Sequence, residues 1–298
     1  MIDARLKTFL ILCEVGNYTR TSAMLNLTQP AVTQHIKYLE NYYGAKLFYY
    51  DENRQLCLTK KGHILQSYAQ TFLADASILE QVMKLPDEIS YCLNLGVLSS
   101  AGETAVMHAI ANYMHEFPHT KIAIQLGETS DLLNSLKSGD IQACVVDSYG
   151  TGEEFESAQL FSTDVICVCS TKHPLAGKTV DFDMLANNRL VFREESSSSH
   201  MNLVSILHSH NRDLNDFLSY VEVGSIYAVK KLIMEDVGVS FIYRYIVQED
   251  LDSGMLKEIR VRDFHYRSYF NLVWMKHSAF EGNIMQFLEV FKGTLGSF

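Results

Sequence analysis

The sequence predicts a multidomain fold: an α-rich winged helix-turn-helix, then a long linker helix, then an α/β domain. Three observations lead to this prediction. The chain has 298 residues, which is long for a single hydrophobic core. Apolar residues recur at helical spacing over residues 1–59 and in heptads over residues 60–86. From residue 87 onward, strand-like apolar runs alternate with helical patterns, as in α/β domains.

The composition is that of an ordinary globular protein, with 47% hydrophobic and 20% charged residues. No run approaches about 18 uncharged apolar residues, and no leader pattern is present, so we expect a cytoplasmic protein without a membrane segment. The net charge of −10 argues against nucleic acid as a partner of the whole chain. Residues 1–85, however, hold nine Lys/Arg against seven Asp/Glu, so the acidity belongs to the remainder.

Three helical patterns open the chain. Residues 4–16 predict a first helix that Gly16 ends, and Thr19 is the expected N-cap of a second helix over residues 20–25. A tight connection at residues 26–28 leads into a third helix, which ends after Tyr43. Two helices joined by a short turn in this way form a helix-turn-helix.

The third helix has an apolar face and a polar face. Thr28 can cap it, and Pro30 is tolerated in its first turn. The apolar face is expected to comprise Val32, Ile36, Leu39 and Tyr43, and the polar face Gln29, Thr33, Gln34 and Lys37. Amides, a hydroxyl and an ammonium group suit the base edges and phosphates of DNA. An ordinary amphipathic surface helix would show the same pattern, so the neighbouring elements must decide.

A β-wing is expected to follow. Residues 46–48 and 55–58 predict two short strands around a polar turn, which would place Arg54 against a DNA backbone. The order NYTRTSAMLNLTQPAVTQHIKYLE…GAKLF…R-QLCLTKKG closely resembles the winged helix-turn-helix of LysR-type transcriptional regulators. The resemblance implies a dimeric repressor or activator whose third helix reads a pseudo-palindromic operator in double-stranded DNA.

Carried over position by position, the resemblance places Gln29, Pro30, Thr33 and Gln34 near bases, and Thr28, Lys37 and Arg54 near the backbone. With Arg20, these residues form the predicted DNA-binding set. The wing departs from the family pattern, because Tyr50 stands where arginine is usual and Asp51 and Glu52 follow it. We therefore expect weak non-specific affinity and more reliance on the helix.

A heptad pattern occupies the predicted linker helix at residues 60–86. Its seam is spaced 4, 3, 4, 3 and 4 residues apart and comprises Leu65, Ala69, Phe72, Ala76, Leu79 and Met83. One domain helix alone could show such a stripe, but the seam alanines favour a close helix–helix contact between subunits. The family's linker helix makes this contact, which implies a homodimer and, by pairing of dimers, a homotetramer.

The remaining 212 residues, 87–298, read as the α/β domain. Its first part predicts strands at 91–97, 121–126 and 141–147 with helices at 102–117 and 130–138, an alternation typical of a parallel sheet. Further strands are expected at 165–170, 189–192, 220–223, 239–242 and 267–275, and helices at 201–209, 226–234 and 279–295. The family resemblance implies two periplasmic-binding-protein-like lobes joined by crossing strands near 162–170 and 267–275. Lobe I would span about 90–163 and 267–298, and lobe II about 164–266.

Hydroxyl-rich strand ends suggest where an effector would bind. Open α/β sheets bind ligands at the carboxyl ends of their strands, between lobes, and helix N-termini favour anions. The predicted effector residues are Ser99, Ser100, Thr129, Ser130, Arg193, Ser196, Ser197, Gly224 and Ser225. We hypothesise a small anionic metabolite or an inorganic oxyanion as the effector. Helix capping alone would account for the Ser and Thr residues equally well.

Other functions are less well supported. No P-loop, G-x-S-x-G, dinucleotide fingerprint or H-E-x-x-H motif occurs, so we expect neither an enzyme nor a cofactor. No metal site is expected, because His208 and His210 are two residues apart and point to different helix faces. A thiol-based redox sensor of the same fold is the alternative, through Cys167 and Cys169, but their apolar strand lacks a basic neighbour. RNA polymerase is a further candidate partner.

Overall fold

The N-terminal part of the chain is a three-helix unit with a two-stranded wing. The computed structural model describes residues 3–89, 91–100, 105–147, 152 and 154–295. The elements of this unit are α1 (Ala4–Val15), α2 (Tyr18–Met24), α3 (Gln29–Tyr43), β1 (Phe48–Tyr50) and β2 (Leu56–Leu58). The two strands pair antiparallel. The core of the unit is closed by Phe9, Leu12, Ile36, Leu39 and Leu47, all nearly inaccessible to solvent.

Side-chain caps set the helix boundaries in this unit. The Thr28 hydroxyl accepts a hydrogen bond from the Ala31 N–H at 3.3 Å and begins α3 as predicted. The second helix starts two residues earlier than expected, because the Asn17 side chain, rather than Thr19, accepts from the Arg20 N–H at 3.0 Å. An asparagine in extended backbone is an equally good N-cap. Tyr43 also departs from the prediction: it is 50% exposed, so the buried face of α3 ends at Leu39.

The linker helix α4 (Lys60–Val82) packs on two cores of its own chain. Ala69 is fully buried against the N-terminal unit, and Ala74 is fully buried against the α/β domain. The helix ends at Val82, four residues before the predicted end at 86. Residue 90 lies outside the described residues.

The α/β domain is built around one eight-stranded mixed sheet and one two-stranded parallel sheet. Its strands are β3 (Tyr91–Leu98), β4 (Thr120–Gly127), β5 (Ala143–Asp147), β6 (Phe155–Ser170), β7 (Thr179–Val180), β8 (Arg189–Arg193), β9 (Ser219–Val223), β10 (Ser240–Tyr243), β11 (Leu256–Val261) and β12 (Tyr266–Met275). Its helices are α5 (Ala105–Glu116), α6 (Thr129–Ser138), α7 (Phe182–Ala186), α8 (Ser198–Ser209), α9 (Ile226–Met234), α10 (Arg244–Asp252) and α11 (Glu281–Leu295). Residues 102–104, the predicted start of α5, lie outside the described residues.

Strands β6 and β12 join the two lobes. They pair antiparallel over the full length of β12, and β12 also pairs antiparallel with β5. The sheet is therefore mixed, with the parallel pairing expected from sequence confined in lobe I to β3, β4 and β5. Strand β6 starts at Phe155, seven residues before the predicted crossing strand. Its second half belongs to lobe II, where it pairs with β10 and β11.

Each lobe has its own apolar core. In lobe I, α5 and α11 cover one face of the sheet, with Tyr113, Phe270, Phe287 and Phe291 fully buried between them. In lobe II, β8 and α8 pack on β6 and β11 through residues such as Leu207. No helix in the described parts of the chain is long and apolar enough to cross a membrane.

Candidate functional site

The outer face of α3 carries a short row of exposed polar groups. Gln29 and Thr33 are ordered against each other: the Gln29 amide donates to the Thr33 hydroxyl at 3.1 Å, and that hydroxyl donates to the Gln29 carbonyl at 3.1 Å. Gln34 and Lys37 are exposed and reach outward. The row is uncharged except for one cation, which suits contact with a polyanion.

The wing and the first turns of α2 and α3 share a groove of about 570 Å³. Gln29 and Arg54, two members of the predicted DNA-binding set, both line it. Arg54 adopts a left-handed backbone conformation with φ of 59°, in a turn where its N–H donates to the Asp51 carbonyl at 3.0 Å. The Asp51 carboxylate accepts from the Gln55 N–H at 2.7 Å. The carboxylate of Asp51, one of the two acidic wing residues, is therefore bound within the turn.

The other members of the predicted DNA-binding set do not line this groove. Arg20 and Pro30 are exposed, and Thr28 is the α3 cap. The groove also contains residues that the sequence argument left out, namely Asn17, Tyr18, Thr19, Tyr50, Gln55 and Leu56. The turn residue Asn17 and the wing residue Tyr50 were visible in the sequence, but only folding brings the wing beside α2.

A buried arginine marks the interface between the two lobes. Arg193 ends β8 and is only 5% exposed. Its guanidinium lies 3.2 Å from a Glu128 oxygen of lobe I and 2.6 Å from a Glu194 oxygen. Burial opposes its charged form, but the hydrogen bonds and charges of Glu194 and Glu128 outweigh burial and raise the pKa of Arg193. The bond to Arg193 in turn lowers the pKa of Glu194.

The N-terminus of α8 meets lobe I beside this arginine. Ser198 donates its N–H to the second Glu128 oxygen at 3.0 Å. The hydroxyls of Thr129 and Ser198 lie 3.1 Å apart. Ser197 is the N-cap of α8, because its hydroxyl accepts from the His200 N–H at 3.2 Å. The two lobes are therefore in direct polar contact.

A small cavity lies behind these contacts. Its volume of about 20 Å³ is enough for roughly one water molecule. Ser100 and Arg193 line it, together with Ser199 and Asn202 of α8. The Ser100 hydroxyl is buried and has no hydrogen-bond partner among the described residues. An unpaired buried hydroxyl is costly and calls for a partner.

A buried carboxyl group binds two of the residues that line the cavity, Asn202 and Tyr243. Asp147, at the end of β5, accepts from the Asn202 amide at 2.9 Å and from the Tyr243 hydroxyl. Burial raises the pKa of Asp147 despite these two hydrogen bonds. Tyr266 completes the network by donating to the Asn202 side-chain oxygen at 3.3 Å. Lobe I, lobe II and a crossing strand are linked through these four side chains.

The structure divides the predicted effector residues into three groups. Ser100 and Arg193 line the cavity, and Thr129 bridges the lobes. Ser99 and Ser197 serve local structure, since the Ser99 hydroxyl donates to the Gly127 carbonyl at 3.3 Å and Ser197 caps α8. Four residues are exposed and do not line the cavity: Ser130, Ser196, Gly224 and Ser225. Ser130 lies in the first turn of α6, which begins at Thr129, and Ser196 precedes α8, which begins at Ser198.

Several site residues were missed by the sequence argument. Glu128, Ser198, Ser199, Asn202, Asp147 and Tyr243 all contact the site. Ser198 and Ser199 directly follow the predicted effector residues Ser196 and Ser197, and α8 begins at Ser198, three residues before the predicted start at 201. The early start brings a different pair of serines and Asn202 to the cavity. Nothing in the local sequence indicated that Glu128 would reach across to the other lobe.

The thiols of the alternative redox reading are deeply buried. Cys167 is 1% exposed and Cys169 is 0% exposed. Burial raises the pKa of Cys169 to about 12, and it also raises the pKa of Cys167 strongly. The nearest polar contact of Cys169 is its bond to the Lys257 carbonyl at 3.7 Å. Within the described ranges, no cluster of three or more His, Cys, Asp or Glu residues could hold a metal ion.

Only part of the predicted heptad seam on α4 faces solvent. Phe72, Leu79 and Met83 are 58%, 51% and 77% exposed, and they share one side of the helix with the partly buried Ala76. Leu65 is half-buried and Ala69 fully buried against the N-terminal core, so these two residues depart from the predicted seam. The reason is that α1 already covers this end of α4. Tyr68, 43% exposed, continues the exposed stripe instead.

Comparison with family models decides the classification. Residues 4–63 match the model described as a bacterial regulatory helix-turn-helix protein of the lysR family, and residues 87–296 match the LysR substrate binding domain. The chain belongs to the LysR family. It is a LysR-type transcriptional regulator with a DNA-binding helix-turn-helix domain and an effector-binding domain, and the predicted fold class is confirmed.

Individual relatives are distant. The chain is 25% identical over 258 residues to an HTH-type transcriptional regulator of Escherichia coli (strain K12), YeiE, covering 86% of this chain and 85% of the relative. A cysteine mutant of OxyR from Corynebacterium glutamicum superposes with a TM-score of 0.62 at 19% identity, covering 99% of this chain and 91% of OxyR. The regulatory domain of Synechocystis CcmR in complex with 2-PG gives 0.60 at 14% identity, covering 67% and 96%. At these identities the two structures show a shared fold.

Proposed function

We propose that this LysR-family chain recognises the base sequence of a specific operator through α3 and contacts the DNA backbone through the wing. The observation that carries the proposal is the exposed polar row on α3, with Gln29 and Arg54 in one groove. Amide side chains pair bidentately with adenine, and arginine and lysine bind phosphates. Gln34 is free to reach a base edge, and Lys37 a phosphate. Because the target is genomic DNA, we place the protein in the cytoplasm.

Two substitutions separate base reading from backbone binding. Gln34→Ala should relax sequence preference, with a loss of about 1–3 kcal/mol at the contacted base pair. Lys37→Ala should weaken binding to all sequences similarly and lower the slope of log K against log salt by about one. The control is Lys121→Ala, an exposed lysine of the effector domain.

Binding would be measured after the full-length protein has selected fragments from its own genome. The selected sites would then be titrated with each variant at several salt concentrations. Loss of affinity in Gln34→Ala and Lys37→Ala without any change in preference would show that another face of α3 contacts DNA. Failure of the wild-type protein to enrich any sequence would contradict the proposed function itself.

We further propose that the exposed stripe of α4 pairs with a second copy of the chain. Tyr68, Phe72, Leu79 and Met83 give α4 a run of large apolar side chains on one side. Such a stripe on a 23-residue helix suits a helix–helix contact between subunits and would fix the distance between two α3 helices. A homodimer is therefore the proposed DNA-binding unit, with homotetramers formed by pairing through the effector domains and RNA polymerase as a candidate contact.

We propose the cavity between the lobes as the effector site. The supporting observation is the Ser100 hydroxyl, which is buried, has no hydrogen-bond partner in the described part of the chain and lines the cavity together with Arg193. A guanidinium and free hydroxyls favour an anionic ligand such as a carboxylate or an oxyanion. The observed cavity holds roughly one water, so a metabolite enters only when the lobes separate. The lobes meet through Glu128, Arg193 and Ser198, so an effector bound here would change an existing contact between them.

Calorimetry of the full-length protein against a panel of small carboxylates, phosphates and sulfate tests the ligand class. Ser100→Ala should weaken binding of the active anion by about tenfold, whereas Ser130→Ala, an exposed serine outside the cavity, should leave it unchanged. Binding of neutral or cationic compounds only would contradict the anionic class. The thiol-based alternative has weaker support, because burial keeps Cys167 and Cys169 protonated.

A further inference from the structure

The carboxylate of Glu128 crosses from lobe I to lobe II. Glu128 occupies the N-cap position of α6, yet its side chain does not cap that helix. One oxygen accepts from the Arg193 guanidinium at 3.2 Å, and the other accepts from the Ser198 N–H at 3.0 Å. A glutamate at an N-cap would ordinarily face solvent or its own helix. Here both oxygens bind donors of the opposite lobe.

The groups that receive this carboxylate are those of an anion site. Ser198 is the first residue of α8, a helix of 12 residues, so its N–H is free of intrahelical bonds and lies at the positive end of the helix dipole. Arg193 is 5% exposed and adds a guanidinium, which Glu194 also binds at 2.6 Å. A second observation points to a ligand at the same place: the buried Ser100 hydroxyl, which lines the cavity with Arg193 and has no partner among the described residues.

We propose that Glu128 is a built-in anion that holds the two lobes together, and that an anionic effector acts by displacing it from Arg193 and the Ser198 amide. The inference rests on the proposed effector function and names its regulation. In the absence of effector, the protein's own carboxylate fills the site and latches the lobes. An effector carboxylate would take over both donors and push the Glu128 side chain out, which changes the contact between the lobes.

We call this contact of Glu128 with Arg193 and the Ser198 amide the latch. It predicts that the tethered carboxylate and free carboxylates compete for the same two donors. A group attached to the chain acts at an effective concentration of roughly millimolar or above, so weak anions displace it only when abundant. Removing the carboxylate should leave the site open to a small free anion. Acetate reproduces the lost carboxylate, and acetamide reproduces its shape without the charge.

The test is hydrogen exchange of the full-length protein with chemical rescue. In Glu128→Ala, peptides covering residues 194–203 should exchange about tenfold faster at the Ser198 amide, because that N–H loses a charged acceptor. Acetate at about 100 mM should restore slow exchange, whereas acetamide at the same concentration should not. The matched control is Asp131→Ala, which removes an exposed carboxylate from the first turn of the same helix and should leave the exchange unchanged.

Two results would overturn the proposal. Unchanged exchange at Ser198 in Glu128→Ala would show that the carboxylate does not hold the lobes. Rescue by acetamide as effective as rescue by acetate, or no rescue by either, would show that the donors do not form an anion site. If circular dichroism shows that Glu128→Ala is unfolded, Glu128→Ser carries the same test, because serine is a favoured N-cap residue and its short side chain leaves room for acetate at the two donors. Exchange at the Ser198 amide should again rise, and acetate should again lower it.

The exchange experiment is independent of DNA and of the natural effector. If the protein enriches no sequence from its genome but acetate rescues Glu128→Ala, the proposed regulator function fails and the latch stands. If operator binding is confirmed but Ser198 exchange does not respond to Glu128, the latch fails and the regulator function stands. The two proposals can therefore be rejected separately.

Discussion

Replacing Gly139 by alanine tests the contact that joins the linker helix to lobe I. Gly139 follows α6 in a left-handed conformation, with φ of +73°. A Cβ atom there would lie 2.2 Å from the carbonyl oxygen of Ala74 in α4. That oxygen is backbone in the middle of a helix, so no side-chain rotation relieves the overlap. The Gln81 amide also donates to the Gly139 carbonyl at 3.0 Å, so the helix is held at this point.

The magnitude follows from two contributions. A non-glycine residue in the left-handed region costs about 1–2 kcal/mol. Forcing a methyl group into a filled interface costs a further 1–3 kcal/mol, roughly. Gly254→Ala is the matched control, because Gly254 has φ of +74° and nothing within 4 Å of its Cβ position. Gly254→Ala should therefore lose only the stability that corresponds to the left-handed backbone, about 1–2 kcal/mol.

The assay uses the single tryptophan, Trp274, which is 5% exposed in β12 of lobe I. Its fluorescence reports unfolding of the lobe that contacts α4. At about 2–4 °C per kcal/mol, Gly139→Ala should melt roughly 5 °C below Gly254→Ala. Equal melting temperatures for the two variants would refute the close approach of α4 to the α6–β5 turn.

Three other predictions concern pH, assembly and thiols. Burial raises the pKa of Asp147 above its ordinary value of 3.8, so the protonated carboxyl contributes stability that is lost as pH rises through the raised pKa. Asp147→Asn should therefore lessen the fall in melting temperature as pH rises above about 4. Phe72→Glu on the exposed stripe of α4 should raise the dimer dissociation constant, measured by sedimentation, by roughly tenfold or more. Glu80→Lys is the control and should leave the dissociation constant unchanged. Native alkylation followed by mass spectrometry should modify Cys57, which is partly exposed, about 100 times faster than Cys167; equal rates would revive the redox alternative.

Much of the chain could be predicted from local patterns. The period of apolar residues located α1, α3 and α9 to within a residue or two, and the order of strands and helices indicated the α/β domain. The predictions failed where two signals compete at a boundary. Asn17 and Thr19 are both good caps, and the backbone near α2 selects the first. The residues of α10 and β11 were left unassigned, because short elements buried on one side carry little periodic signal.

The DNA-facing site and the interlobe site could be predicted from the sequence to different extents. The DNA-facing residues lie on one helix and one adjacent turn, so helical spacing alone groups Gln29, Thr33 and Gln34. The interlobe site draws on strands that are far apart in the chain, from Ser100 to Tyr243. Only the carboxyl-end rule for open sheets connects them, and it does not specify which serine of a run points inward. The shift of the α8 start to Ser198 therefore changed the identity of the lining residues.

By itself, the sequence determined the class of protein. The winged helix-turn-helix, the linker helix and the α/β alternation rest on local spacing and on a motif with fixed offsets, and the division of the α/β domain into two lobes was implied by the family resemblance that this motif carries. The tertiary structure alone decided which faces are free and which charges meet. Ala69 left the predicted seam because α1 covers it. Glu128 met Arg193 across 65 residues of chain because the lobes close on each other. Contacts of this kind depend on the approach of surfaces distant in sequence, and no local pattern encodes that approach.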